Sequence, residues 1–430
     1  MKAKRLAMNF IEELRWRDML HDMTPGTEEK LLEGMATGYV GFDPTARSLG
    51  VGNLVPVMML RHFQRTGHKP VALVGGATGL IGDPSFKSTE RNMLSEDVLL
   101  ENVAAQRKQL EYFLDFECGP NAALMVNNRD WFQDVHLLDF LRDVGKHITV
   151  NYMMAKDSVK SRLESGLSFT EFCYQLIQGY DFVHLRRHHN CIVQMGGSDQ
   201  WGNITTGTEL IRRMDGGEAF AVTCPLIKKA DGTKFGKSES GNVWLDPSMT
   251  SPFRFYQFWL NSTDADVATY AKIFSSRTKD EVEDEIAKHA NDPGRRSLQR
   301  FLAEEVTTLV HGSGAFEKAV RASNLLFSKE SSDLESFSVE ELQDVFEGVP
   351  SSAFSRQRLE DGVNVIDFLA EVGVCPSKKE ARRLLQQGGV KINLESCRTE
   401  EQSVNANHAL GGKLIWVKKG KQTNHIVFIE

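Results

Sequence analysis

The sequence lacks most of what would take it out of the ordinary globular class. No apolar run approaches the ~18 residues of a membrane span, and the basic start Met1-Lys2-Ala3-Lys4-Arg5 is not followed by the apolar region of a secretory signal. That start is also too short for an organellar transit peptide, so the expected location is cytoplasmic, with no membrane partner. Cysteines are few and scattered, at 118, 173, 191, 224, 375 and 397. With no C-x-x-C and no Cys/His set at zinc spacing, a zinc module and a disulfide scaffold are both excluded. His188-His189 reads as a surface-loop pair, and no tightly bound protein metal is expected. No internal repeat is present, which excludes a solenoid. A strong excess of positive charge is missing too: the net charge is −7. From Asp361 to Glu430 there are 10 Lys/Arg against 8 Asp/Glu, leaving −9 for the preceding residues. The tail is therefore the part better suited to a polyanion.

What remains is a 430-residue chain of ordinary composition, long enough for two or three domains. Its most informative stretch is Lys234-Phe235-Gly236-Lys237-Ser238, preceded by Asp231-Gly232. Two ammonium groups and a hydroxyl on a short glycine-containing loop can close on one polyphosphate, because glycine admits φ > 0 and a close backbone approach. A solvated basic hairpin would read the same way, so the surroundings decide.

Residues 8–36 read as a helical preamble ended by Pro25-Gly26. Tyr39-Val40-Gly41-Phe42 reads as a strand, Asp43-Pro44-Thr45 as a turn, and about Asn53 to Thr66 as a helix. Strand, turn and helix N-terminus make a phosphate-binding arrangement. Val71–Val74 is a second strand, running into Gly75–Ser85. Residues 95–190 read as mainly helical, with Met125-Val126 a short strand. In Phe169–Phe182, the spacing of Tyr174, Gln178 and Asp181 puts all three on one helix face. Ile192–Met195 reads as a strand ending in Gly196-Gly197-Ser198-Asp199-Gln200-Trp201-Gly202-Asn203, a composition suited to the carboxyl edge of a parallel sheet. Helices follow from Pro252 to about 349, with connectors near 329–341 and 348–352. From Val365 a small unit begins, with Ser377 and Glu380 in capping-box spacing and Gly388-Gly389 closing the helix before a strand at Val390–Asn393.

A competing pattern pairs Gly76-x-x-Gly79-x-x-Gly82 with Tyr152-Met-Met-Ala-Lys156, which resembles the NAD(P)-dependent short-chain dehydrogenases. The glycine loop runs into Asp83-Pro84, however, and proline resists the long helix a dinucleotide fold needs there. That reading also leaves Lys234–Ser238 without a purpose.

Taken together and in order, Gly41-Phe42-Asp43-Pro44-Thr45, Gly75–Ser85, Phe169–Phe182, Gly196–Asn203 and the lysine loop resemble the bacterial-type tyrosyl-tRNA synthetases, the loop standing as that family's KMSKS element. The resemblance runs from Met8 to the end, where the tail resembles an S4-type RNA-binding unit. It implies an α/β fold: a Rossmann-like parallel-sheet catalytic domain over 1–230 with a helical insertion and dimer interface at about 95–190. A loop and connector at 231–250 follow, then an α-helical anticodon-recognition domain at 251–349, and a linker with a small α+β S4-like domain at 350–430. The implied reaction is activation of L-tyrosine by ATP with Mg²⁺, then transfer to the 3′ end of tRNA(Tyr) by a homodimer. By motif position, Tyr39 and Asp181 would hold the substrate phenol, and Asp83, Tyr174, Gln178 and Gln200 its ammonium end. Gly41, Asp43, Gly52, Gly197 and Asp199 would border the nucleotide. Lys234, Lys237 and Ser238 would grip the pyrophosphate, with Thr45, Gly50 and Asn53 on the helix-start side. Lys378, Lys379, Arg382 and Arg383 would meet RNA.

One departure stands out. The family carries a HIGH-type signature where this chain reads Gly50-Val51-Gly52-Asn53. Asn53 can still donate as an amide, but Gly50 removes a donor to the ATP phosphates, a loss on the order of 10²–10³ in rate by analogy with oxyanion holes. Either a neighbour such as Thr45, Arg47 or the lysine loop compensates, or the enzyme is slow, or the chain is a paralogue that binds tyrosine or RNA without efficient aminoacylation. Arg47, three residues before Gly50, is the expected replacement for the missing charge.

Overall fold

The computed structural model describes residues 8–83, 85, 94–163, 166–238, 241–325, 334, 337–346, 349–420 and 423–430. Met1–Arg5, Pro84, Gly348, most of the 329–336 stretch and the side chain of Ser238 lie outside the described residues. Contacts divide the chain into two compact units, Met1–Thr250 with Phe258–Gly312, and Ser251–Gln257 with Ser313–Glu430.

The first unit is built on a six-stranded sheet: β1 (Asp22–Met23), β2 (Thr37–Phe42), β3 (Lys69–Val74), β4 (Leu124–Asn127), β5 (Cys191–Gly197) and β6 (Phe220–Cys224). Their spatial order is β1-β6-β5-β2-β3-β4. All pairings are parallel except β1 with β6. β3 and β6 are buried almost throughout, as strands covered by helices on both faces must be. The chain leaves β2 for β3 and β4 on one side, then returns to build β5 and β6 on the other. A crevice therefore opens between the carboxyl ends of β2 and β5, where open parallel sheets take their ligands.

Three helices aim side chains at that crevice. Leu54–Arg65 follows β2 through a 3₁₀ turn at Val51–Asn53. Phe169–His189 spans 21 residues. Its Ser168 cap and Glu171 bond reciprocally, and Asn190 closes it in the left-handed region at φ 51°. Trp201–Asp215 follows β5 and ends at Gly216.

Several local expectations are corrected. The preamble is two helices, Phe10–Trp16 and Thr27–Leu32, with β1 between them. Pro25-Gly26 opens the second helix rather than ending the first. The break comes at Arg17, which is fully buried and donates to the carbonyls of Lys272, Ser275 and Arg277. His188-His189 is not a loop pair, because the two residues form the last turn of the long helix, with His188 stacked on His184 at 4.3 Å.

The second unit carries a five-stranded sheet in the order Glu395–Ser396, Val390–Ile392, Leu414–Lys419, Thr423–Ile429, Ser351–Phe354. Residues 351–354 are thus an edge strand and not a connector. Part of the other expected connector is helical: Ser338 caps Val339–Val345, closing a capping box with Glu341. Helix Lys378–Gln386 packs over a core that includes Phe368, Leu385, Val390 and Ile415. Ser377 caps it by accepting from the Glu380 N–H, but the Glu380 carboxylate turns to Lys419 at 3.2 Å instead of completing the box.

Candidate active site

A cavity of about 520 Å³ sits at the carboxyl ends of β2 and β5. Its blind end is made by Tyr39 on β2 and Asp181 on the long helix, which are 1% and 2% exposed. The Tyr39 hydroxyl has no hydrogen-bond partner among the described residues. Burial, and then the nearby Asp181 charge, hold its proton on well above the ordinary phenol range. The Asp181 carboxylate accepts from Asn128 Nδ2 at 3.1 Å and Trp131 Nε1 at 3.0 Å. Burial pushes its pKa well up, while those two donors pull it down. Trp131 is in turn stacked on His184 at 4.3 Å. Two donors aimed at one buried carboxylate fix its direction, leaving an oriented acceptor and an unpartnered hydroxyl at the end of the cavity.

The cavity's middle is a polar net. Gln200 Nε2 donates to Asp83 Oδ2 at 2.7 Å, Gln178 Nε2 to Gln200 Oε1 at 3.3 Å, and Asn203 Nδ2 to Gln178 Oε1 at 3.1 Å. Tyr174 donates to Asp43 Oδ2 at 2.8 Å, and Thr78 to Asp43 Oδ1 at 2.8 Å. Gly75 makes this junction possible, since a Cβ there would stand 2.4 Å from Asp43 Oδ1. The negative charges of Asp43 and Asp83 face into the net and suit a cation such as an ammonium group.

The open end lies between the Val51–Asn53 turn and the lysine loop. Thr45, Gly52, Asn53, Gly41, Gly197 and Asp199 border it, as does Lys234. A Cβ on Gly52 would meet nothing within 4 Å, so the wall there is bare backbone. Gly50 does not border the cavity; its N–H donates to Asn53 Oδ1 at 3.0 Å and it pairs with Trp244 in an antiparallel bridge. Lys237 does not border the cavity either. It pairs with Asn242 where the strands Lys237–Ser238 and Gly241–Asn242 meet. Between the two lysines, Phe235 lies against Tyr270, Phe274, Phe258 and Trp259, with ring centroids 4.9 to 5.9 Å away. Gly236 at φ 83° brings the loop against Gly52.

Arg47 is not where the expectation put it. It is exposed, stands outside the cavity wall, and its field acts on Asp246. Tyr152 and Lys156 are also outside the cavity. Lys156 Nζ donates to Tyr152 at 2.8 Å and to Thr205 Oγ1 at 2.9 Å, which joins two helices and leaves no room for a dehydrogenase role. Three residues were missed. Asn128 and Trp131 follow β4, and the pair of asparagines at a parallel strand's carboxyl end was a readable signal. Lys228 borders the cavity opposite Lys234. In the second unit, the four basic residues of helix Lys378–Gln386 divide. Lys378 pairs with Asp367 at 2.8 Å and Arg382 with Glu400 at 3.4 Å. Lys379 and Arg383, exposed and four apart, have no ion pair among the described residues.

A parallel sheet with a crevice at its switch point, a glycine turn at a helix start and a lysine loop across it together define the class I tRNA synthetases. Residues 33–328 match the family of class I tRNA synthetases (W and Y). Residues 341–427 match the tyrosine–tRNA ligase SYY-like C-terminal domain. The chain is 55% identical over 430 residues to a tyrosine–tRNA ligase of Porphyromonas gingivalis, covering 98% of this chain and all of that protein. It is 57% identical over 427 residues to one of Bacteroides fragilis, covering 98% and 99%. Among solved structures, a C-terminally truncated mitochondrial tyrosyl-tRNA synthetase of Aspergillus nidulans matches with a TM-score of 0.67 at 30% identity, over 74% of this chain and 94% of that one. The chain belongs to the tyrosine–tRNA ligase family.

Proposed function

We propose that this chain activates L-tyrosine with ATP, releasing pyrophosphate, and then passes the tyrosyl group to the 3′ end of tRNA(Tyr). The observation that carries the substrate choice is the blind end of the cavity. An unpartnered Tyr39 hydroxyl and an oriented Asp181 carboxylate call for a ligand hydroxyl, and a phenyl ring would leave the Tyr39 hydroxyl unmet and give Asp181 no further donor. Asp83, Gln178, Gln200 and Tyr174 take the ammonium end. The tyrosine carboxylate is then free to attack the α-phosphorus, with no covalent enzyme intermediate. Asp43, Asp199, Gly41, Gly52 and Gly197 border the nucleotide, and Mg²⁺ enters as part of the ATP substrate. Lys234, with Lys237 and Ser238 after loop movement, meets the charge that grows on the departing pyrophosphate, while Thr45 and Asn53 flank it. Binding that strengthens only as that charge develops is what raises the rate.

On the second unit, Lys379 and Arg383 offer unpaired charge to tRNA, with Lys378 and Arg382 tethered behind them. A homodimer is supported by Leu137, Leu138, Val150 and Phe169, which are 63 to 77% exposed within the first unit. Six unpaired thiols fit a reducing cytoplasm.

The deciding measurement is ATP–pyrophosphate exchange on the purified chain. Exchange with tyrosine and none with phenylalanine is the expected result. No exchange, with tyrosine binding intact by calorimetry, would leave a tyrosine-binding paralogue and overturn the ligase reading.

A further inference from the structure

Residues 228–234 form a tight hairpin. Lys229 N–H donates to the Thr233 carbonyl at 3.0 Å, Gly232 N–H to the Lys229 carbonyl at 2.8 Å, and Asp231 Oδ1 accepts from Thr233 N–H at 2.8 Å. The hairpin is tied down at Ala230, whose N–H donates to Asp266 Oδ1 at 2.8 Å. Its two arms end in Lys228 and Lys234, directly opposite each other in an antiparallel bridge. Residues so placed send their side chains to the same face, with Cβ atoms about 4.5–5.5 Å apart. Like charges facing each other there are destabilising unless something negative lies between them. Neither lysine has an ion pair among the described residues, and both border the cavity. The remaining lysine of the hairpin, Lys229, is used inside the loop, donating to the Lys237 carbonyl at 3.1 Å. Position 50, just outside the cavity wall beside Asn53, is a glycine with no side chain to offer.

We infer that Lys228 is a phosphate-binding residue of the adenylation step, paired with Lys234, and that it meets the charge Gly50 leaves unanswered. The inference rests on the cavity being the ATP site proposed above. In the step itself, a tyrosine carboxylate oxygen forms a bond to the α-phosphorus. The bond from that phosphorus to the α–β bridging oxygen breaks, and pyrophosphate leaves with the electron pair. Lys228 transfers no proton. Its ammonium donates hydrogen bonds to non-bridging oxygens of the β/γ group, and these strengthen as negative charge moves onto the leaving group. The hairpin geometry lets one polyphosphate sit between two ammonium groups held by a tied-down backbone. This makes the pair a ready site, whereas Lys237 must first leave its strand pairing.

The test is tyrosine-dependent ATP–pyrophosphate exchange on the full chain, with tyrosine affinity followed separately by calorimetry. Lys228→Met is expected to lower kcat about 10- to 100-fold, less than the roughly 10²–10³ of a lost oxyanion-hole donor because Lys234 remains, with tyrosine affinity unchanged. Lys228→Arg is expected to keep most of the rate. A Cβ at position 50 makes ordinary contact, its nearest atom being the Val243 carbonyl oxygen at 3.5 Å. Gly50→His on top of Lys228→Met is expected to recover several-fold of the lost kcat, and the same change in the unmodified chain to add little. That non-additivity is the signature of a shared task. A Lys228→Met enzyme with unchanged kcat, or an equal loss in Lys228→Met and Lys228→Arg, overturns the inference. An unmodified chain with no tyrosine-dependent exchange overturns instead the function on which it rests.

Discussion

The two ends of the cavity are built on opposite terms. The blind end is made from a strand and a long helix, its groups are almost wholly buried, and its carboxylate is oriented by two side chains from a third element. The open end is made from a turn and a hairpin whose cavity-bordering lysines, Lys228 and Lys234, are exposed. The contrast separates recognition from rate. Discrimination by a hydroxyl needs groups that water cannot satisfy in the substrate's place, and only burial provides that. Stabilising charge that exists only in the transition state needs cations with no competing partner of their own, and a solvent-facing hairpin can hold them where a core cannot.

The largest effect expected from breaking this contrast is at the blind end. Asp181→Ala leaves the Asn128 and Trp131 donors and the substrate hydroxyl without an acceptor. Only the substrate hydroxyl separates the two amino acids, and leaving it buried without its charged acceptor, at roughly 3–4 kcal/mol, predicts a loss on the order of 10²–10³ in kcat/KM for tyrosine. Phenylalanine should lose far less, so the ratio of the two in pyrophosphate exchange collapses. Equal losses for both amino acids would mean Asp181 serves the fold and not the choice. Next in size is Lys234→Ala, with a loss on the order of 10² in kcat and no change in tyrosine affinity by calorimetry. A raised tyrosine Kd would blur the division between the two ends. The smallest effect belongs to Arg47→Ala. An exposed charge outside the cavity wall and facing Asp246 is screened, so adenylate formation should change less than about threefold. A larger loss in single-turnover adenylation would restore Arg47 as the stand-in for the missing histidine.

Much of the site was legible because the residues that meet in space end recognisable elements. Tyr174 and Asp43 are 131 residues apart, yet each follows from a local pattern, a helix face and a strand-turn, and their 2.8 Å bond is the crossing of two readable elements. Asn128 and Trp131 were harder to see. Their role depends on β4 lying beside β3 and on which side chains the long helix turns toward them, and no local period encodes that. Lys228 was hidden for another reason: the bridge to Lys234 is a property of the hairpin, while the lysine-loop motif begins only at its second arm. Arg47 falls outside the cavity because nearness to Gly50 in sequence is not nearness to the cavity in space. Glu380 shows the same limit at small scale, since cap spacing was satisfied but a lysine on a neighbouring strand competed for the carboxylate.

Arg17 sets an order of events. Its guanidinium finds its last carbonyl 260 residues further along the chain, at Arg277. On a ribosome adding roughly 5–20 residues per second, the first helix emerges on the order of tens of seconds before that acceptor exists. In the interval the charge has Glu13, one turn back at 2.8 Å, as its partner, and Phe10–Trp16 has Phe63 to pack on but not the carbonyls that bury Arg17. A segment made early is therefore among the last to be fully fastened, and the burial of Arg17 waits until the helices beyond Phe258 have been translated.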